Sequence, residues 1–267
     1  MRHPSLARGR NTRVLLAALA GLLLVPVGVQ AQRGGGRGGP PPSPKATAPI
    51  DLTGYWVSVI TEDWRYRMVT PTLGDYQSVP MNIESKRVAD AWDPAKDEAA
   101  GNQCKAYGAA AVLRLPERLH MTWEDDQTLR MDIDAGTQTR LFHFGDWKAP
   151  GGAPGWQGDS VAEWEVPRGG RGGFGGPAAA PKSGSLKVTT THLKAGYLRK
   201  NGVPYSEDAT VTEYFDIARE HTGEQYLVVT TVVNDPKYLT QQFVTSSQFK
   251  KQADGAGWDP TACSSRW

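Results

Sequence analysis

The chain has 267 residues with 30 basic and 28 acidic side chains, a formal charge of +2. Four arginines (Arg2, Arg8, Arg10, Arg13) and no acid fall in the first 31 residues, so the remainder is net −2, which excludes a strongly basic nucleic-acid-binding domain. With only two cysteines but nine tryptophans, the chain is not a disulfide-dense mini-fold, and its core must come from aromatic and aliphatic burial.

Residues 1–31 place arginines ahead of the apolar run 14–25 and end on Val29-Gln30-Ala31, the pattern of a secretory signal peptide. An N-terminal membrane anchor is the alternative, but the run is shorter than the ~20 residues a span needs. The expectation is an exported chain, periplasmic or extracellular, with no stable membrane span after cleavage. Residues 32–49 (QRGGGRGGPPPSPKATAP) have nothing to bury and read as a disordered linker. Residues 50–267 read as one domain.

That domain opens with a strand over 50–60, in which Gly54, Trp56 and Ser58 share one side. A polar and aromatic stretch follows, including Glu62-Asp63-Trp64-Arg65-Tyr66-Arg67. Asn82 then caps a short helix, and Asp93-Pro94 stops it and starts a second one toward Cys104. From 110 the alternation of apolar and polar residues predicts strands over 110–115, 118–124, 128–134, 137–144 and 160–166. A glycine-rich stretch, 167–184, reads as a long hairpin loop.

Strands over 185–193, 209–217, 225–233 and 242–249 complete a meander, with a polar crossing over 194–208 centred on Asn201-Gly202 and a turn at 235–238. About ten strands in up-and-down order, with two short helices after the first, predict an all-β antiparallel barrel, since closure removes exposed edges. In an oxidising compartment Cys104 and Cys263 most simply pair as a disulfide; two separate thiols are the alternative.

Gly54-Tyr55-Trp56 resembles the Gly-x-Trp signature of lipocalins, and the strand count is similar to that of the wider calycin group. The resemblance implies a barrel that binds small apolar ligands inside. Lipocalins set an arginine over that tryptophan from near the final strand, where this chain offers Lys250 and Lys251. The phrases TGYWVSVITEDWRYRM, GTQTRLFHF, GYLRKNGVPYSEDATVTEYF and DPKYLTQQF also resemble a group of exported bacterial proteins without established chemistry.

Strand parity nominates interior polar groups. His192 shares a face with Leu186 and Val188, His143 with Leu141, and Glu213 with Val211 and Phe215. If all three converge inside, they form a candidate catalytic set for proton transfer. If Phe142 and Phe144 point inward instead, His143 turns out. Interior histidines and carboxylates are more commonly satisfied core groups, and no metal site is expected.

The ligand-binding candidates are Trp56 together with Trp64, Arg65, Tyr197, Arg199 and Tyr205, from the two aromatic and charged segments expected at the barrel mouth. No phosphate loop, nucleophile elbow, zinc helix or dinucleotide fingerprint occurs, so no cofactor is expected. The favoured reading is an exported lipocalin-like barrel binding a small, largely apolar or aromatic molecule in its interior. An enzyme (lyase, isomerase or hydrolase) on that barrel and an envelope interaction module are the alternatives.

Overall fold

Nine strands hydrogen-bond in one closed ring. An odd ring cannot alternate direction all the way round, so at least one neighbouring pair must run parallel. The computed structural model describes residues 41–167 and 183–266; the expected signal peptide and nearly all of the glycine-rich loop lie outside the described residues.

In chain order the strands are β1 (Gly54–Val59), β2 (Arg118–Trp123), β3 (Thr128–Ile133), β4 (Gln138–Phe144), β5 (Asp159–Glu165) and β6 (Ser185–Thr191). A small hairpin of β7 (Gly196–Tyr197) and β8 (Pro204–Tyr205) stands apart from the ring, and β9 (Thr210–Arg219), β10 (Gln225–Asn234) and β11 (Phe243–Lys251) complete it. Around the barrel the order is β1-β11-β10-β9-β6-β5-β4-β3-β2. The parallel pair is β4 with β5, in the register Phe142 to Ser160 and Phe144 to Ala162, and residues 145–158 carry the chain back from one end of the barrel to the other. The expected purely antiparallel barrel of about ten strands is therefore corrected to a mixed barrel of nine. Closure of the ring leaves no open edge among its nine strands.

Side-chain alternation fills the barrel. Trp56, Leu119, Met121, Leu129, Met131, Phe142, Leu186, Val188, Phe215, Leu227, Val229 and Phe249 are all fully buried in one cluster. Trp56 Nε1 donates to the Leu52 carbonyl at 2.9 Å, and Lys251 Nζ lies 4.4 Å from the centre of its indole ring. A cation from the final strand thus covers the first-strand tryptophan. The chain is anchored earlier than residue 50: Thr47 N–H donates to the Ser43 carbonyl at 3.0 Å and Trp164 Nε1 to the Pro44 carbonyl at 2.9 Å. These contacts lie at the near end of the barrel, where β1 begins.

At the opposite end, residues between β1 and β2 and between β6 and β9 form a cap. It contains α1 (Trp64–Arg67), α2 (Ile83–Asp90) and α3 (Pro94–Ala99). The last two are the expected helices: Asn82 accepts from Ser85 N–H at 2.9 Å, and Asp93 accepts from Ala95 N–H at 3.0 Å with Pro94 in the first turn. The strand expected over 110–115 is not formed. Residues 109–115 are buried throughout, and Ala109 N–H donates to the Trp156 carbonyl and Val112 N–H to Gly108, both at 2.9 Å. The alternating pattern there serves a compact 3-10 turn at Val112–Arg114, packed from all sides rather than from one face. A second core beneath the cap contains Met81, Ala89, Leu198, Tyr205, Leu239 and Phe243.

Cys104 and Cys263 are joined across a sequence separation of 159 residues. The bridge ties the C-terminal tail to the cap, and a loop that long restricts the unfolded chain strongly. Replacing both cysteines by alanine is expected to lower stability by about 2–4 kcal/mol, read as a lower urea midpoint. Among the described residues no helix is long and apolar enough to cross a membrane.

Candidate charged site beneath the cap

Three chain segments bring charge into the capped end. Asp63 adopts a left-handed backbone (φ 51°) and starts α1, whose last residue, Arg67, turns inward and is buried. Arg67 Nε donates to the Arg114 carbonyl at 3.0 Å, and Arg114 Nη2 donates to Asp63 Oδ2 at 2.9 Å, so the two segments hold each other. The third segment is the β7–β8 hairpin. Leu198 N–H donates to the Val203 carbonyl at 2.7 Å, and Asn201 Nδ2 donates to the carbonyls of Thr72 (3.1 Å) and Asp75 (3.0 Å). Gly202 has φ +83°, and a Cβ there would lie 2.3 Å from Trp92 Cβ, so the Asn201-Gly202 turn read from sequence is also a packing requirement. This hairpin delivers Arg199 and Lys200 to the interior, where both are buried.

Arg67, Arg114, Arg199 and Lys200 share one cleft with Tyr66, Val69, Ala106, Ala111, Leu115 and Leu198. It is closed in this structure: of roughly 300 Å³ between its atoms only about 10 Å³, the room of a single water, is open to one, so a ligand enters only if the walls part. The Arg199 guanidinium stacks on the Tyr66 ring, 4.0 Å from its centre. Its Nε, Nη1 and Nη2 are buried without a hydrogen-bond partner among the described residues, as are Nη1 and Nη2 of Arg67. Burial, and next the charge of Arg114, lower the pKa of both groups, that of Arg199 to about 10. Lys200 Nζ donates to Tyr107 Oη at 3.1 Å, and burial brings its pKa down to about 6.

Glu117, which precedes β2, lies buried with no hydrogen-bond partner at either carboxyl oxygen. Burial first, and then the nearby Asp134 charge, hold its pKa well above the carboxylate range, against the pull of Arg67, Arg140 and Lys200. It makes no hydrogen bond to the arginines among the described residues, although its charge acts through space on Arg67 and Lys200.

Deeper in the barrel the polar groups pair with one another, apart from Arg140 Nε, which has no partner among the described residues. Arg140 Nη1 and Nη2 donate to Glu213 Oε1 and Oε2 at 2.8 and 2.5 Å, and Nη2 also donates to Thr190 Oγ1 at 3.1 Å. Thr190 Oγ1 in turn lies 2.8 Å from Ser160 Oγ. Both members of the ion pair are fully shielded from solvent.

Glu213 thus points inward as parity predicts, but the two histidines do not join it. On β4 it is Arg140, Phe142 and Phe144 that face the core, because two phenyl rings bury more apolar area than Leu141 and His143. His143 sits on the outer wall, stacked on Trp147 with ring centres 4.1 Å apart. Ladder pairing of β6 stops at Thr191, and His192 leaves it with φ 57°, which breaks the strand period and directs its Nδ1 to Asp159 Oδ2 at 2.8 Å. The expected proton-transfer set is not assembled.

Among the ligand-binding candidates, Arg199 lines the cleft and Tyr197 stands beside it, its Oη donating to Asp97 Oδ2 at 2.8 Å. Trp56 belongs to the barrel core. Trp64 is 65% exposed, and Arg65 is a surface residue paired with Asp75. Tyr205 is buried in the second core; its hydroxyl has no partner, and burial raises its pKa. Arg67 and Lys200 belong to the two segments expected at the mouth without being among the named ligand-binding candidates, whereas Arg114 and Glu117 are residues that sequence reasoning did not place in a site. For Arg114 a signal existed, a lone cation within the apolar run Val112-Leu113-Arg114-Leu115.

A broader groove opens at the near end between Lys45, Asp51, Trp123, Glu165, Ile217 and Arg219. Its charged residues are exposed to water, so nothing in it calls for a ligand as the buried arginines do. No family model, curated protein or solved structure matches this chain.

Proposed function

We propose that this chain is a small-molecule-binding β-barrel whose ligand, small and largely apolar, seats beneath the cap rather than in the centre of the barrel. The observation that carries this reading is the convergence of residues 66–69, 111–115 and 198–200 on one cleft with apolar walls and unpartnered buried donors, while the barrel centre is filled by its own side chains. The exposed Met68 and Val69 form a lip over which the body of a ligand can lie. An exported location belongs to the same proposal, supported by the N-terminal pattern and by the Cys104–Cys263 disulfide.

Val69 is half exposed, so a larger side chain there fills the cleft mouth without entering the core. Native mass spectrometry of the protein from its own cells, followed by titration with the retained compound or with a panel of small aromatics, is the direct test. Val69→Trp is expected to weaken binding about tenfold or more, which corresponds to about 1.4 kcal/mol, with an unchanged thermal midpoint. Ligand binding that is indifferent to Val69→Trp would remove the capped-end seat.

A further inference from the structure

The cleft also holds two buried guanidiniums with no carboxylate bonded to them among the described residues: Asp63 acts on both only through space, as Glu117 does on Arg67 and Asp75 on Arg199. Arg114 has Asp63. Arg67 and Arg199 make no ion pair within 4.0 Å among the described residues, although each exposes 3% or less of its surface. Each is nevertheless fixed in place. Arg67 is held through Nε on the Arg114 carbonyl, which leaves both Nη atoms unused, and Arg199 is held flat on Tyr66 with all three nitrogens unused.

A guanidinium has donors only, arranged as a planar fork, so its complement is an acceptor-rich group that can take two parallel hydrogen bonds. A neutral carbonyl would satisfy donors but leave the charge; an oxyanion satisfies both. Glu117, the buried carboxyl whose charge acts on Arg67, makes no hydrogen bond to it among the described residues, and neither does Asp63 or Asp75 to Arg199.

We propose that the ligand presents an oxyanion, a carboxylate or a phosphate, to Arg67 and Arg199, with its apolar part against Val69, Leu115 and Leu198. This rests on the capped-end seat proposed above and assigns its ligand class. Lys200 lines the same space and is held by its hydrogen bond to Tyr107.

The test is calorimetric titration and thermal shift of the intact protein with benzoate, with benzamide as its neutral counterpart, and with inorganic phosphate, all at matched ionic strength. Benzoate, phosphate or both are expected to bind saturably and raise the melting temperature, while benzamide does neither. Binding by phosphate alone identifies an inorganic or phosphoryl source, and binding by benzoate alone a carboxylic acid. Arg199→Met is expected to reduce oxyanion affinity about ten- to hundredfold, the loss expected for charge-assisted hydrogen bonds. Its melting temperature without ligand should equal or exceed that of the wild type, because an unpartnered buried charge has been removed. Arg199→Lys, which keeps the charge but loses the fork, should fall between the two and serves if the methionine variant does not fold.

Equal binding of benzoate and benzamide, unaffected by Arg199→Met but blocked by Val69→Trp, would overturn the oxyanion while leaving the seat intact. Absence of binding by all three probes would overturn the oxyanion assignment, and binding that survives both Arg199→Met and Val69→Trp would overturn the seat as well.

Discussion

Glu213→Leu is expected to destabilise the protein by about 3–5 kcal/mol, because it leaves a buried guanidinium without its counter-ion. Arg140 and Glu213 face each other across the barrel with no solvent contact, and the carboxylate accepts from both Nη atoms. After the substitution Thr190 Oγ1 remains as the hydrogen-bond partner of Arg140 among the described residues, and the Arg140 Nε already lacks one. The double variant Arg140→Met with Glu213→Leu should recover most of that loss, since a buried ion pair and a well-packed apolar pair of similar volume are often close in free energy. Urea denaturation of the two single variants and the double gives the coupling directly. A double variant as unstable as Glu213→Leu alone would show that the pair matters through packing rather than charge.

The pH dependence of stability should separate Glu117 from Lys200, because the two shifts have opposite signs. Burial raises the folded pKa of Glu117 above its unfolded value, so the stability it contributes is complete below the ordinary carboxyl range and is lost as pH rises through the folded value. For Lys200 the folded value is lowered to about 6 from 10.5, so between those limits the unfolded chain binds the extra proton and stability climbs with pH.

Glu117→Gln should therefore gain stability over the wild type at alkaline pH and little at acid pH. Lys200→Met should gain most near or below pH 6 and least as pH approaches 10.5. Burial drives both shifts; Asp134 adds to that of Glu117 while Arg67, Arg140 and Lys200 oppose it, and Glu117 opposes that of Lys200. Urea midpoints for the three proteins across pH 4 to 10, about the range spanned by ordinary carboxyl and lysine groups, read both slopes. Parallel profiles for the two variants would refute the opposed shifts.

Much of the barrel was legible because strands with one buried face print their period on the sequence. Leu119 with Met121, Leu129 with Met131, and Val211 with Phe215 all face inward as their spacing requires. The helix caps at Asn82 and Asp93 and the Asn201-Gly202 turn are equally local signals. Two features needed long-range information. Pairing direction between β4 and β5 is decided by where residues 145–158 take the chain, which no periodicity encodes.

The choice of face on β4 was open because Leu141 and Phe142 are both apolar. Taking Phe142 and Phe144 as the inner pair would also have brought Arg140 inside opposite Glu213, and the ion pair would have been readable from charge alone. The charged cleft was the least legible part. Arg67, Arg114 and Arg199 lie in three segments far apart in the chain, and a cation in a loop reads as solvated until its burial is seen.

Because β1 is hydrogen-bonded on one side to β2 and on the other to β11, the first strand of the barrel cannot be sealed until the last has been made. During synthesis β2 to β10 can pair with neighbours already present, but β1 and β10 remain two unsatisfied edges for the whole time that Phe243–Lys251 is missing. The seam joins residues nearly two hundred positions apart, such as Trp56 with Lys251, so its closure is a late and entropically costly event in folding. A nascent chain of this architecture is an open sheet, prone to pair with other strands, until its final residues arrive.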